Sequence, residues 1–115
     1  MKKLLLIAVI FLAGCSVIFP KPHDPVMMDR IVGVDIQAWH VNCEQKENGW
    51  DELFKQVHHL KLYTEIRDDP QAKSIAQMEE ALLKAYNSKN KKFCTDILNL
   101  QRIRIKVAED AWKGR

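Results

Sequence analysis

Apolar positions recur along the chain at helical spacing, in four blocks separated by turn residues. The first block opens at Asp24-Pro25, an N-cap side chain followed by proline at the first helical position. Met28, Val32, Ile36, Trp39 and Cys43 fall on one stripe of this block, and Asn48-Gly49 closes it. Gly33 lies inside and costs about 1 kcal/mol of helix propensity. A break there is expected to leave Asp35 capping a second piece. The run Ile31-Val32-Gly33-Val34 could pass for a strand, but it has no partner strand.

The second block runs from about Trp50 to Arg67. Trp50, Leu53, Val57 and Leu60 share a face, with Phe54 at its edge. His58, Leu62 and Ile66 lie on the opposite side, with His59 beside them. A helix with apolar residues on two sides is either sandwiched or keeps one side for a partner. Asp68-Asp69-Pro70 stops this helix and starts the third, with Asp69 as a cap. Ala72, Ile75, Leu82 and Tyr86 form the third stripe, widened by Met78 and Leu83. After Asn87-Ser88-Lys89-Asn90 the fourth block runs from about Lys91 to Trp112. Phe93, Ile97, Leu100, Val107 and Ala111 line one face, widened by Leu98, Ile105 and Trp112. Short connections make neighbours antiparallel, so the fold class is all-α: a small four-helix up-down bundle over residues 25–115.

The chain before this domain has a different character. Two lysines follow Met1, and an apolar run from Leu4 to Leu12 follows them, the layout of a secretory signal. The run is far short of the ~20 residues that span a bilayer. Leu12-Ala13-Gly14-Cys15 resembles the lipobox of bacterial lipoproteins. The resemblance implies that residues 1–14 are removed and that Cys15 is acylated as the new N-terminus. Residues 15–24, with Pro20 and Pro22, are then a tether of at most about 30 Å. Ser16 stands where an aspartate would signal inner-membrane retention in enterobacterial lipoproteins. Its presence points to an outer-membrane, periplasm-facing location, with the inner membrane as the other outcome.

With Cys15 committed to lipid, Cys43 and Cys94 remain, and an exported protein meets an oxidising compartment. In the up-down arrangement the end of the first helix and the start of the fourth share a pole. A Cys43–Cys94 disulfide is therefore expected there.

Charge narrows the function classes. The chain has 18 Lys plus Arg against 15 Asp plus Glu. Losing Lys2 and Lys3 leaves sixteen basic against fifteen acidic, close to neutral. Nucleic-acid binders carry a basic stripe, so none is expected as a partner. His58 and His59 are adjacent and point about 100° apart on a helix, a poor metal pair. No nucleophile elbow, zinc-protease or phosphate-loop pattern occurs. No cofactor, metal or catalytic residue is expected, and the protein is read as a non-enzyme.

The leading reading is a membrane-anchored binding or assembly factor for an envelope protein. In layout the chain resembles the pilotins of secretion systems, small outer-membrane lipoproteins with a disulfide-tied helical body. Leu62 and Ile66, with His58 and His59, are the candidate partner-binding residues. The alternatives are a plasmid- or phage-encoded exclusion or immunity lipoprotein, and a periplasmic enzyme inhibitor.

Overall fold

The computed structural model describes residues 22–115. The signal segment, the lipobox with Cys15, and the tether up to residue 21 lie outside the described residues. Four helices follow in order: α1 (Pro25–His40), α2 (Trp50–Ile66), α3 (Ala72–Asn87) and α4 (Lys91–Lys113). α1 and α3 each pack against both α2 and α4. Among the described residues the diagonal pairs make no close backbone contact. This is the square section of an up-down bundle.

The interior is built from aliphatic side chains closed at each end by an indole. Ile31, Val34, Leu53, Val57, Leu60, Ile75, Met78, Leu82 and Ile105 are fully buried, as is Trp50, with Trp112 almost so. Each such burial contributes about 1.5–3 kcal/mol against the entropy of ordering the chain. Trp50 stands at the disulfide pole, packed near Phe54 and Tyr86. Trp112 stands at the opposite pole, beside the turn that joins α2 to α3.

Cys43 and Cys94 form the disulfide, with Cα atoms 6.0 Å apart across 51 positions of sequence. Cys43 does not sit on a helix, which corrects the expected first segment. α1 ends at His40, and residues 41–49 form a loop. The Asn42 side chain accepts from the N–H groups of Glu44 and Gln45, giving the backbone a local alternative to helix. Lys46 reaches across the pole and donates to the carbonyls of Tyr86 (2.9 Å) and Ser88 (2.5 Å), satisfying the end of α3. The Trp50 indole donates to Asn42 O at 2.9 Å. Gly49 takes φ 85° at the start of α2, a left-handed conformation suited to glycine.

The buried stripe of α1 is also different. Met27, Ile31, Val34 and Ala38 face inward, while Val32, Ile36 and Trp39 are exposed. Both stripes have the same spacing, so periodicity alone does not choose between them. The choice is made at the helix ends. Asp24 caps α1 through Val26 and Met27 and also accepts from the Tyr63 hydroxyl of α2. Arg102 of α4 holds the carbonyls of Ala38 and Val41 at 3.0 and 3.1 Å. These ties rotate α1 onto its smaller stripe. Gly33 does not break the helix, and Asp35 caps nothing; its carboxylate pairs with Lys106 of α4 at 3.0 Å.

α4 is also rotated from the expected orientation, by one residue in the opposite sense. Its core residues are Cys94, Leu98, Gln101, Ile105, Ala108 and Trp112. Phe93, Leu100 and Val107, expected inside, are exposed. The disulfide at one end and the Trp112 indole at the other fix this orientation. α2 buries its expected stripe and α3 buries Ile75, Met78 and Leu82; Ala72 and Tyr86 are only partly buried, Leu83 is exposed and Ala85 takes a core place.

Candidate functional site

Gly33 has a positive role on the surface. A Cβ there would stand 3.2 Å from Gln56 Oε1 of α2, tighter than ordinary contact. Its absence lets α1 and α2 approach and leaves a groove of about 370 Å³ between their outer edges. Val32, Ile36 and Asp29 line it from α1, and Glu52, Gln56 and His59 from α2. Val32 is 40 % exposed and Ile36 57 %. Trp39, 62 % exposed, continues the stripe one turn further.

Trp39 is held rather than loose. The Arg102 guanidinium stands 4.5 Å from its ring centre, a cation–π contact of about 0.5–1 kcal/mol at an exposed site. The same guanidinium fastens the last carbonyls of α1. The indole is thus a large apolar anchor already fixed in place, which lowers the entropy cost of using it in an interface.

The residues singled out on α2 divide between two sides. His59 lines the groove. His58 turns toward α3, where Nδ1 lies 2.8 Å from Glu79 Oε2. Lys61 joins the same carboxylate at 3.3 Å. Leu62 and Ile66 are exposed, the latter at 82 %. Lys55, His59, Leu62 and Ile66 stand at i, i+4, i+7 and i+11, so Leu62 and Ile66 extend the side of α2 on which His59 meets the groove. The sequence signal for the groove itself was Gly33, a glycine retained mid-helix at a cost; its partner Gln56 carries no pattern that would single it out.

Two charged clusters flank the bundle. Between α1 and α4, Lys106 Nζ bridges Asp35 (3.0 Å) and Glu109 (3.4 Å). Asp35 Oδ1 and Glu109 Oε1 are buried and receive no donor from any other residue, which leaves them to each other once Glu109 is protonated. Burial, then the hydrogen bond and charge of Asp35, push the Glu109 carboxyl up to about 7. Burial also acts on Asp35, but bonds from Glu109 and Lys106 outweigh it and hold that carboxyl low. At the pole opposite the disulfide, Asp69 accepts from Trp112, Gln71 and Arg115. Among the described residues no group of three or more His, Cys, Asp or Glu side chains gathers to hold a metal ion. None of the described helices is long and apolar enough to cross a membrane.

Compared with known protein families, curated proteins and solved structures, the chain matches none.

Proposed function

We propose that this chain is a small envelope lipoprotein, anchored through lipid on Cys15 to the periplasmic side of the outer membrane. Its helical body acts as a non-enzymatic binding or assembly factor for a partner protein, in the manner of the pilotins. One observation carries the binding role. The core closes without Val32, Ile36, Trp39, Leu62 or Ile66, and all five are exposed. Val32 and Ile36 line a groove with its floor opened by Gly33, and Trp39 continues their stripe beyond it. An amphipathic helix of the partner docks there by its apolar face. α1 begins at the pole where the tether enters, so the groove lies within the tether's reach of the membrane.

The test has two arms. Fatty-acid probe labelling of Cys15→Ala should show no label, whereas persisting label would remove the anchor from the reading. Ile36→Glu in the groove should abolish the partner seen by crosslinking in envelopes, at unchanged helix content. An unchanged crosslink pattern would remove the groove.

A further inference from the structure

α4 carries a second apolar seam that neither the core nor the groove uses. Phe93, Leu100, Ile103 and Val107 are 48 to 61 % exposed, and Ile97 is half-buried beside them. Phe93, Ile97, Leu100, Arg104, Val107 and Ala111 alternate by four and three, the spacing of a helix-pairing seam. From Phe93 to Val107 it extends about 21 Å. One cation interrupts it. Arg104 is half-buried and makes no hydrogen bond or ion pair among the described residues. Asp96 lies on the same outer side, 61 % exposed and paired only with Lys92 of its own helix.

These residues are arranged symmetrically about Leu100. Phe93 and Val107 stand seven residues to either side, Asp96 and Arg104 four, and Ile97 and Ile103 three. Residues equally far before and after a central position occupy mirror-related angles on a helix at 100° per residue. An antiparallel copy of α4, related by a two-fold axis at Leu100, therefore brings each residue level with its counterpart. Leu100 meets Leu100 of the second copy, Phe93 meets Val107 near the centre line, and the long Arg104 side chain reaches across the seam to Asp96. Phe93, Leu100 and Val107 each gain an apolar neighbour, and Arg104 gains an anion, twice.

We propose that the outer face of α4 is the interface of an antiparallel homodimer centred on Leu100. The occupant is a second copy because the pattern is complementary to itself. An isologous interface requires that each patch answer its own reverse. A foreign helix would require nothing of the order in which Asp96, Leu100 and Arg104 appear. The dimer leaves the α1–α2 groove open on each copy, so it stands independently of the partner-binding reading.

The experiment is disulfide trapping of the full chain in the cells that make it. Leu100→Cys should join to itself under mild oxidation, giving a dimer in which mass spectrometry finds the native Cys43–Cys94 link intact. Phe93→Cys alone should not join to itself, since two copies stand about 21 Å apart in an antiparallel pair. Phe93→Cys and Val107→Cys, produced together, should join to each other. Adding Arg104→Asp to Leu100→Cys should cut the yield at least tenfold, and adding Asp96→Arg as well should restore it. Rescue by the double exchange separates a charge contact from a folding defect. Absence of a Leu100→Cys dimer, a Leu100→Cys adduct with a protein of another mass, or self-joining of Phe93→Cys would each overturn the proposal.

Discussion

The indole N–H of Trp112 donates to Asp69 Oδ1 at 3.1 Å, and both side chains are buried. This bond joins the last turn of α4 to the corner between α2 and α3. Asp69 also accepts from the Gln71 backbone at 2.9 Å and from the Arg115 guanidinium. Asp69→Ala would strand a buried guanidinium and an indole donor together. Removing one partner of a buried ion pair costs about 3–5 kcal/mol. We expect a loss of that size in urea unfolding, and a smaller one for Asp69→Asn, which keeps an acceptor. Equal losses for the two would mean that shape, not hydrogen bonding, is what Asp69 supplies.

Acid should unfold the domain through the same pole. Burial raises the Asp24 and Asp69 carboxyls, but hydrogen bonds outweigh it: chiefly from Met27 and Tyr63 on Asp24, and from Arg115 and Gln71 on Asp69. Both therefore titrate below 3.8 when folded. The unfolded chain binds more protons as pH falls past that value, so their stabilisation is present above it and is lost below. Tyr63→Phe should move the acid midpoint upward, measured by far-ultraviolet circular dichroism. No movement would show that the Tyr63 hydroxyl contributes nothing to holding Asp24 ionised.

Glu109 works in the opposite direction. Its folded value is about 7 against 4.5 unfolded, so the folded state holds the extra proton between them. Stability from this group is full below pH 4.5 and declines as pH rises through 7. A shift of that size corresponds to a change on the order of 3 kcal/mol. Unfolding free energies from urea melts between pH 4.5 and 8 should fall by that order in the native protein and stay flatter in Glu109→Gln. A parallel fall in both would place the dependence on another group.

The Cys43–Cys94 link closes a loop of 51 positions. On the chain-entropy account this stabilises by about 4 kcal/mol. Reduction should lower the melting temperature strongly while leaving the helical spectrum in place at low temperature. The reason is that Lys46 and Trp50 also pin residues 41–49. A reduced protein with no helix at any temperature would show that these contacts cannot hold the pole by themselves.

Helix number, order and the disulfide pairing were readable because each rests on local chemistry: Asp24-Pro25, Asp68-Asp69-Pro70, Asn90, and two cysteines placed near one pole. The rotation of α1 and α4 was not. Each carries two apolar stripes of equal spacing, and the deciding contacts join residues far apart in sequence, such as Arg102 with Ala38 and Trp112 with Asp69. Asn42 ended α1 early through a side-chain turn that a stripe containing Cys43 concealed. On α2 the balance went the other way. Its second apolar side had no competitor for the core, so Leu62 and Ile66 could be placed outside from spacing alone. The groove needed Gly33 and Gln56 to be seen together, and only packing shows that pair.

Leu62 gives the sharpest separation of surface from core. It is 45 % exposed, while Leu60, two residues earlier, is fully buried. Substitution at an exposed site usually changes stability by no more than about 0.5 kcal/mol. Leu62→Glu should therefore melt near the native temperature, whereas Leu60→Glu buries an unpaired charge and should not fold. If a partner helix runs along the groove and onto this side of α2, Leu62→Glu places a charge in a contact that needs an apolar group. Crosslinking in envelopes should then show the partner lost in Leu62→Glu and in Ile36→Glu alike. Loss in Ile36→Glu alone would confine the partner to the groove. Unfolding of Leu62→Glu would make the residue part of the core and remove it from any binding face.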